Sequence, residues 1–193
     1  MNHTDNRFSA VDLCYIAVFA ALFAILAQVS IPMPGGVPMT LQTLAVPLAG
    51  LVLGRKKGAV SALVYLLLGV VGLPVFSGMK GGIGVLFGMT GGFLFSFPLM
   101  AWMAGLASDR KPKNPILWFW LILGTVVNYA VGTVWFMLVS GSALIGALTA
   151  CVIPFIPTTI LKILLAGLLG PLLKGALCHA GLLVRVDKKG ESC

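Results

Sequence analysis

Charge is scarce in this chain. Asp, Glu, Lys and Arg make up only 9% of its 193 residues, against about 25% in a soluble domain. Carboxylates are the scarcest: Asp5, Asp12, Asp109, Asp187 and Glu191 are the only five, and none sits in the middle of an apolar run. A proton relay through the membrane usually needs such an acid, so a proton-coupled pump is disfavoured.

Catalytic and energy-coupling signatures are also missing. No GxxxxGK[ST] loop occurs, so the chain is not expected to hydrolyse ATP itself. No HExxH occurs, and "SGSAL" at 140–144 is not a GxSxG nucleophile elbow. His3 lies in the N-terminal tail and His179 near the end of the last apolar run. Neither suits catalysis, and an enzyme is not expected. The four cysteines, 14, 151, 178 and 193, have neither metal-finger nor redox spacing. They read as isolated thiols, with no metal site and no disulfide framework.

What remains is 59% hydrophobic. The chain reads as an all-α integral membrane protein, of a length that suits one domain, 1–193. A crossing needs about 20 helical residues. Six candidate spans stand at 11–29, 41–54, 59–73, 84–107, 115–139 and 158–184. The first lacks a small-residue cleavage site and reads as a retained helix. The second and third are short. Pro154 and Pro157 set 143–152 apart as a separate short segment.

The net charge of +8 does not point to nucleic acid, because the basic residues are not interleaved with aromatics on a solvated face. They cluster after spans two (Arg55, Lys56, Lys57), four (Arg110, Lys111, Lys113) and six (Arg185, Lys188, Lys189). Six spans put these clusters on one side with both termini, and the positive-inside rule makes that side cytoplasmic. The expected location is the cytoplasmic membrane, with multiple passes. Arg7, Lys174 and all five acids fall on the same side. The outer half is left with Lys80, Lys162 and no carboxylate. Lys162 precedes Arg185 by 23 residues, about 34 Å of helix, which puts it near the outer end of span six. An external anion is the natural partner of both lysines, so a small carboxylate-bearing ligand is expected.

Around Lys80 and into span four runs "FSGMKGGIGVLFGMTGGF", 76–93, with seven glycines and that lysine as its single charge. Non-helical backbone at membrane depth is tolerated where it lines a cavity, and glycine allows backbone to approach a ligand. Gly82 and Gly84 fall at the mouth of such a cavity, with Thr90 and Gly91 deeper. A second outer segment, "IPMPGGVPMT", carries three prolines, is expected to be stiff and irregular, and leads into Gln42. Tyr129 and Trp135 on span five are candidate walls. Span one carries Ala17, Ala20, Ala21, Ala24 and Ala27 at helical spacing, a stripe suited to docking another membrane protein.

Three stretches are similar to the BioY family, the biotin-specific S components of energy-coupling-factor (ECF) transporters. They are "PMTLQTLAVPLAGLVLGRKKGAVSALVYLLLGVVGLPVFSG", "GGIGVLFGMTGGFLFSFPLMAW" and "IPFIPTTILK", in order between about 17 and 165. The resemblance implies a six-transmembrane-helix S-component bundle that captures biotin from outside. It implies a membrane-embedded T component and an ATPase pair as partners, with action alone as the alternative within the family. Biotin is the transported ligand, and no cofactor is implied. Ala17 and Ala21 would contact the T component. The family's Asp-x-x-Lys pair at the start of the sixth helix contacts biotin. Lys162 matches that lysine, but Thr159 stands at the acidic position, which leaves Asn128 as the candidate for the missing acceptor. Met89 stands where the family often has proline. Other readings are an S component for another anionic vitamin or a biotin precursor, an autonomous carrier, and an assembly subunit with a vestigial pocket.

Overall fold

In the computed structural model the described residues are 9–182. The architecture is helical. Its order is α1 (Ala10–Gln28), a hairpin of β1 (Ser30–Ile31) and β2 (Met39–Thr40), α2 (Gln42–Leu53), α3 (Arg55–Val70), α4 (Ile83–Phe87), α5 (Gly91–Gly105), α6 (Pro115–Ser140), α7 (Leu144–Cys151), a 3-10 turn (Ile153–Phe155) and α8 (Ile156–His179).

Local chemistry sets the helix ends. Ser9 Oγ accepts from Asp12 N and Asp12 Oδ2 accepts from Ser9 N, both at 3.2 Å, a reciprocal cap on α1. Asn114 Oδ1 caps Ile116 N at 3.0 Å, with Pro115 in the first helical position of α6. Gly54, at φ +81°, turns the chain directly from α2 into α3. The third expected span therefore starts at Arg55, which has helical geometry, and not at 59.

Among the described residues, three helices are long and apolar enough to cross a membrane: α1, α6 and the run Leu144–His179. With twelve residues, α2 is about 18 Å long. It packs against α1, α3, α5 and α8 and is buried along nearly its whole length. A helix so enclosed need not match the lipid thickness. The fourth expected span is broken, with residues 88–90 separating α4 from α5. The prolines do separate α7 from α8. The end of the sixth expected span, the last basic cluster, Arg7, Asp5, Asp187 and Glu191 lie outside the described residues.

Two features differ from expectation. The segment around the three prolines is not irregular throughout, because its ends pair antiparallel, Ser30 with Thr40 and Ile31 with Met39. The alanine stripe is also wider than one contact. At about 100° per residue its five positions spread over roughly 120° of the helix. Ala20 and Ala27 pack inward, while Ala17 and Ala21 are exposed. Among the cysteines, Cys14 and Cys151 are free and Cys178 is disulfide-bonded, which corrects the reading of four isolated thiols. Sequence spacing reports local motifs and not pairing through the fold.

One end of the bundle gathers the basic residues. Lys57 pairs with Asp12, joining α3 to α1. Lys174 on α8 donates to Asp109 Oδ1 at 2.7 Å and to Ser108 O and Oγ at 3.0 and 2.9 Å. The core between the ends is closed by backbone contact. A Cβ on Gly50 would lie 2.1 Å from Ala101 O, so α2 and α5 touch there without side chains. Gly50→Val is expected to lower stability by at least about 1–3 kcal/mol through overpacking. Gly175→Ala meets nothing within 4 Å and is expected to raise stability by about 0.5–1 kcal/mol. Thermal unfolding of both variants in detergent checks the contrast.

Candidate binding site

A cavity of about 380 Å³ lies at the end of the bundle opposite the basic cluster. Pockets for small molecules run from about 300 to 1,000 Å³, so this one suits a compact ligand. Gly36, Lys80, Gly84 and Met89 are exposed lining residues and mark its mouth. Asn128, Leu94, Phe97 and Cys151 are buried and form its floor. The lining is mainly apolar, with Val37, Phe76, Val85, Phe93 and Phe155 between mouth and floor.

Lys162 is 8% exposed and lines this cavity, so it points inward and does not snorkel to lipid. Its Nζ donates to Thr40 O at 2.7 Å and Thr43 Oγ1 at 3.0 Å, linking α8 to β2 and α2. An ammonium has three donors, and the third is left for a ligand. Asp12 and Asp109 are the acids among the described residues, and both lie at the basic end.

The second polar element is Asn128 on α6. Its Nδ2 donates to Phe93 O at 3.0 Å and Ser96 Oγ at 2.7 Å. Ser96 in turn donates to Phe93 O at 2.9 Å. Asn128 Oδ1 is buried and has no hydrogen-bond partner. A buried acceptor left unpaired costs about 1–3 kcal/mol, and a ligand N–H would satisfy it.

Gln42 also lines the cavity, held from two sides. Its Nε2 donates to Tyr65 OH at 2.5 Å, and its Oε1 accepts from Thr40 Oγ1 at 3.2 Å. Tyr65 OH donates onward to Val75 O at 3.2 Å. Thr90, Tyr129, Lys80 and Gly84 complete the sequence-assigned residues that share this cavity.

Gly82, Gly91 and Thr159 are not part of the cavity wall. Gly82 heads α4. Gly91 is pressed against the end of α4, where a Cβ would lie 1.6 Å from Leu86 O. The constraint on Gly91 is therefore packing across the helix break. Thr159 Oγ1 and Tyr129 OH hydrogen-bond at 2.5 Å, so Thr159 bears on the cavity through the tyrosine. Trp135 is no wall either. Its Nε1 donates to Gly88 O at 3.0 Å and ties down the broken backbone.

Sequence reading passed over Gln28, Tyr65 and Ser96. Gln28 left a trace, as an amide closing an otherwise apolar helix. Tyr65 and Ser96 left none, because their partners are brought to them by the fold.

Fold and cavity together define a membrane-helix bundle with room for a small molecule at one end, where an ammonium and two amides are buried in the lining. The chain belongs to the BioY family, which it matches over residues 1–178. It is 37% identical to the "Probable biotin transporter BioY" of Pyrococcus horikoshii, over 86% of this chain and 98% of that protein. It is 39% identical to "Biotin transporter BioY2" of Lactococcus lactis, over 87% of this chain and 92% of that one. A crystal structure described as the S-component for biotin from an ECF-type ABC transporter superposes with a TM-score of 0.77 at 26% identity, covering 91% of this chain and 95% of that one.

Lys162 is a buried cation with no carboxylate of the described residues beside it. Removing such a charge while keeping apolar bulk is often neutral or stabilising. Lys162→Met in the ligand-free protein is expected to unfold at or above the wild-type temperature. A fall of several degrees would instead mark Lys162 as the structural tie between α8 and β2.

Proposed function

We propose that this chain captures biotin for uptake across the cytoplasmic membrane, as the substrate-binding S component of an ECF transporter. The observation that carries this reading is the pairing of Lys162 with the unpartnered Asn128 Oδ1 in one apolar cavity. Biotin carries a carboxylate, an apolar thioether ring and a ureido group with two N–H donors. Lys162 suits the carboxylate and Asn128 Oδ1 suits a ureido N–H. Phe93, Phe97 and Phe155 suit the ring. Lys80, Gly84 and Thr90 close around the ligand from the mouth, and Gln42 and Tyr129 shape its sides. Named relatives and the solved biotin S-component support the same ligand.

The basic end faces the cytoplasm in this reading, which brings the cavity to the outer surface. Six passes, with α2, α3 and α5 as the short ones, accommodate the chain. Exposed Ala17 and Ala21 present a low-relief surface to a membrane-embedded T component. An ATPase pair below it would supply the energy. The chain itself is a transport component and not an enzyme.

Thr159 favours a second reading, an S component for a related anionic vitamin. It replaces the family's acid with a neutral hydroxyl that is engaged by Tyr129. Calorimetry on the purified protein in detergent separates the two. Tight biotin binding is expected, with Lys162→Ala weakening it by at least about 30-fold, because breaking a buried charge pair costs about 2–5 kcal/mol. Asn128→Leu is expected to cost about 10-fold or more, in line with one lost buried hydrogen bond. Absence of binding by the folded wild-type protein, with another anionic vitamin bound instead, would replace the biotin assignment.

A further inference from the structure

We propose that Gln28 is a positioning residue for the binding site. Its amide latches residues 75–80 across the mouth of the cavity and so sets how long a ligand stays. The ligand part of this statement rests on the biotin reading above.

One side chain holds this segment at both ends. Gln28 Oε1 accepts from Met79 N at 2.9 Å. Gln28 Nε2 donates to Phe76 O at 3.1 Å, with Val75 O at 3.4 Å as a weaker partner, and to Ala24 O of its own helix at 3.1 Å. Donor and acceptor of a single amide thus clamp backbone that lies 47–51 residues away in sequence.

The segment needs such a clamp. Phe76 and Lys80 exchange backbone hydrogen bonds at 2.9 and 3.3 Å and close a tight turn. Within it Met79 has φ +56°, a conformation that residues other than glycine rarely adopt. Met79 is exposed, so no packing of its side chain compensates. Phe76, by contrast, is anchored. The residue is 2% exposed and its ring meets Tyr65 edge-on at 5.5 Å. The arrangement is a turn pinned at its first residue by an aromatic ring and near its last by Gln28.

What the turn carries makes the latch functional. Phe76, Ser77 and Lys80 line the cavity, and Lys80 stands at its mouth. Gln28 does not line it, so any effect on a ligand passes through the turn. Without the latch, the Met79 amide and the Phe76 carbonyl lose their side-chain partner, and Lys80 is held only by its two backbone hydrogen bonds to Phe76.

The test uses the full chain in detergent, with Gln28→Ala, Gln28→Glu, Lys80→Ala and the double variant Gln28→Ala/Lys80→Ala. Amide hydrogen exchange without ligand reads the latch itself. Gln28→Ala should speed exchange across residues 75–80 by about tenfold or more, with α5 and α6 unchanged. Gln28→Glu keeps an acceptor for Met79 N but sets its second oxygen against the Ala24 and Phe76 carbonyls, so it should restore little protection. The biotin dissociation rate reads the consequence. Gln28→Ala should raise it about tenfold in the wild-type background and by much less in the Lys80→Ala background. Unchanged exchange at residues 75–80, or dissociation effects that multiply independently, would overturn the proposal. A wild-type protein that binds no biotin sinks the biotin reading alone, and hydrogen exchange still decides the latch.

Discussion

The site is organised around one ammonium that the protein buries and does not neutralise. Lys162 rests on a backbone carbonyl and a hydroxyl, Thr40 O and Thr43 Oγ1. These dipoles stabilise a cation in part but leave its charge uncompensated. Burying an unpaired charge is costly, so the fold must hold Lys162 inward against the alternative of reaching lipid headgroups. It does so through geometry. The two prolines after α7 turn the chain so that α8 begins beside the hairpin, and β2 brings the Thr40 carbonyl to meet it. The hairpin, the break before α8 and the ammonium are interdependent.

The broken backbone of α4 and α5 solves a related problem. A continuous helix through residues 83–105 would cover the cavity wall with side chains and satisfy its own carbonyls. The break instead exposes Gly88 backbone, whose carbonyl is taken by Trp135 Nε1. Gly91 lets the end of α4 settle on the start of α5. Indole and glycine act on the same interruption, one as a donor and one as an absence of bulk. Space for a ligand follows, with Gly84, Gly88 and Thr90 along one side.

Much of this was legible in the sequence, for a physical reason. Charge in an apolar chain is costly, so its placement is informative. Lys162 and Lys80, stranded from every carboxylate, pointed to the site, and both line the cavity. Asn128, read as a candidate acceptor, has the unpaired oxygen that role requires. The glycine stretch was legible as a break but not residue by residue. Glycine is demanded equally by a ligand and by a close helix contact, and Gly91 proved to be the latter. The alanine stripe was legible as a face, but spacing does not say which of its residues pack inward, as Ala20 and Ala27 do, and which stay exposed, as Ala17 and Ala21 do. Thr159 was placed in the site by resemblance to the family motif, yet the fold turns its hydroxyl to Tyr129. Gln28 left no more trace than its own amide, because its partners are backbone groups and backbone carries no sequence signal.

The two ends of the bundle use opposite chemistry for the same mechanical task. At the basic end, charged pairs join elements, Lys57 to Asp12 and Lys174 to Asp109. At the cavity end, neutral amides do so: Gln28 holds the turn at residues 75–80, Gln42 joins α2 to Tyr65, and Asn128 joins α6 to α5. The difference has an electrostatic rationale. A carboxylate used as a tie near the cavity would compete with an anionic ligand for Lys162. Amides donate and accept without net charge, so they fix the walls and leave the ammonium's field available. In a low-dielectric cavity that field is screened far less than in water. A scaffold built from neutral ties therefore raises the share of electrostatic attraction that reaches the ligand, and it does so without adding a second buried charge.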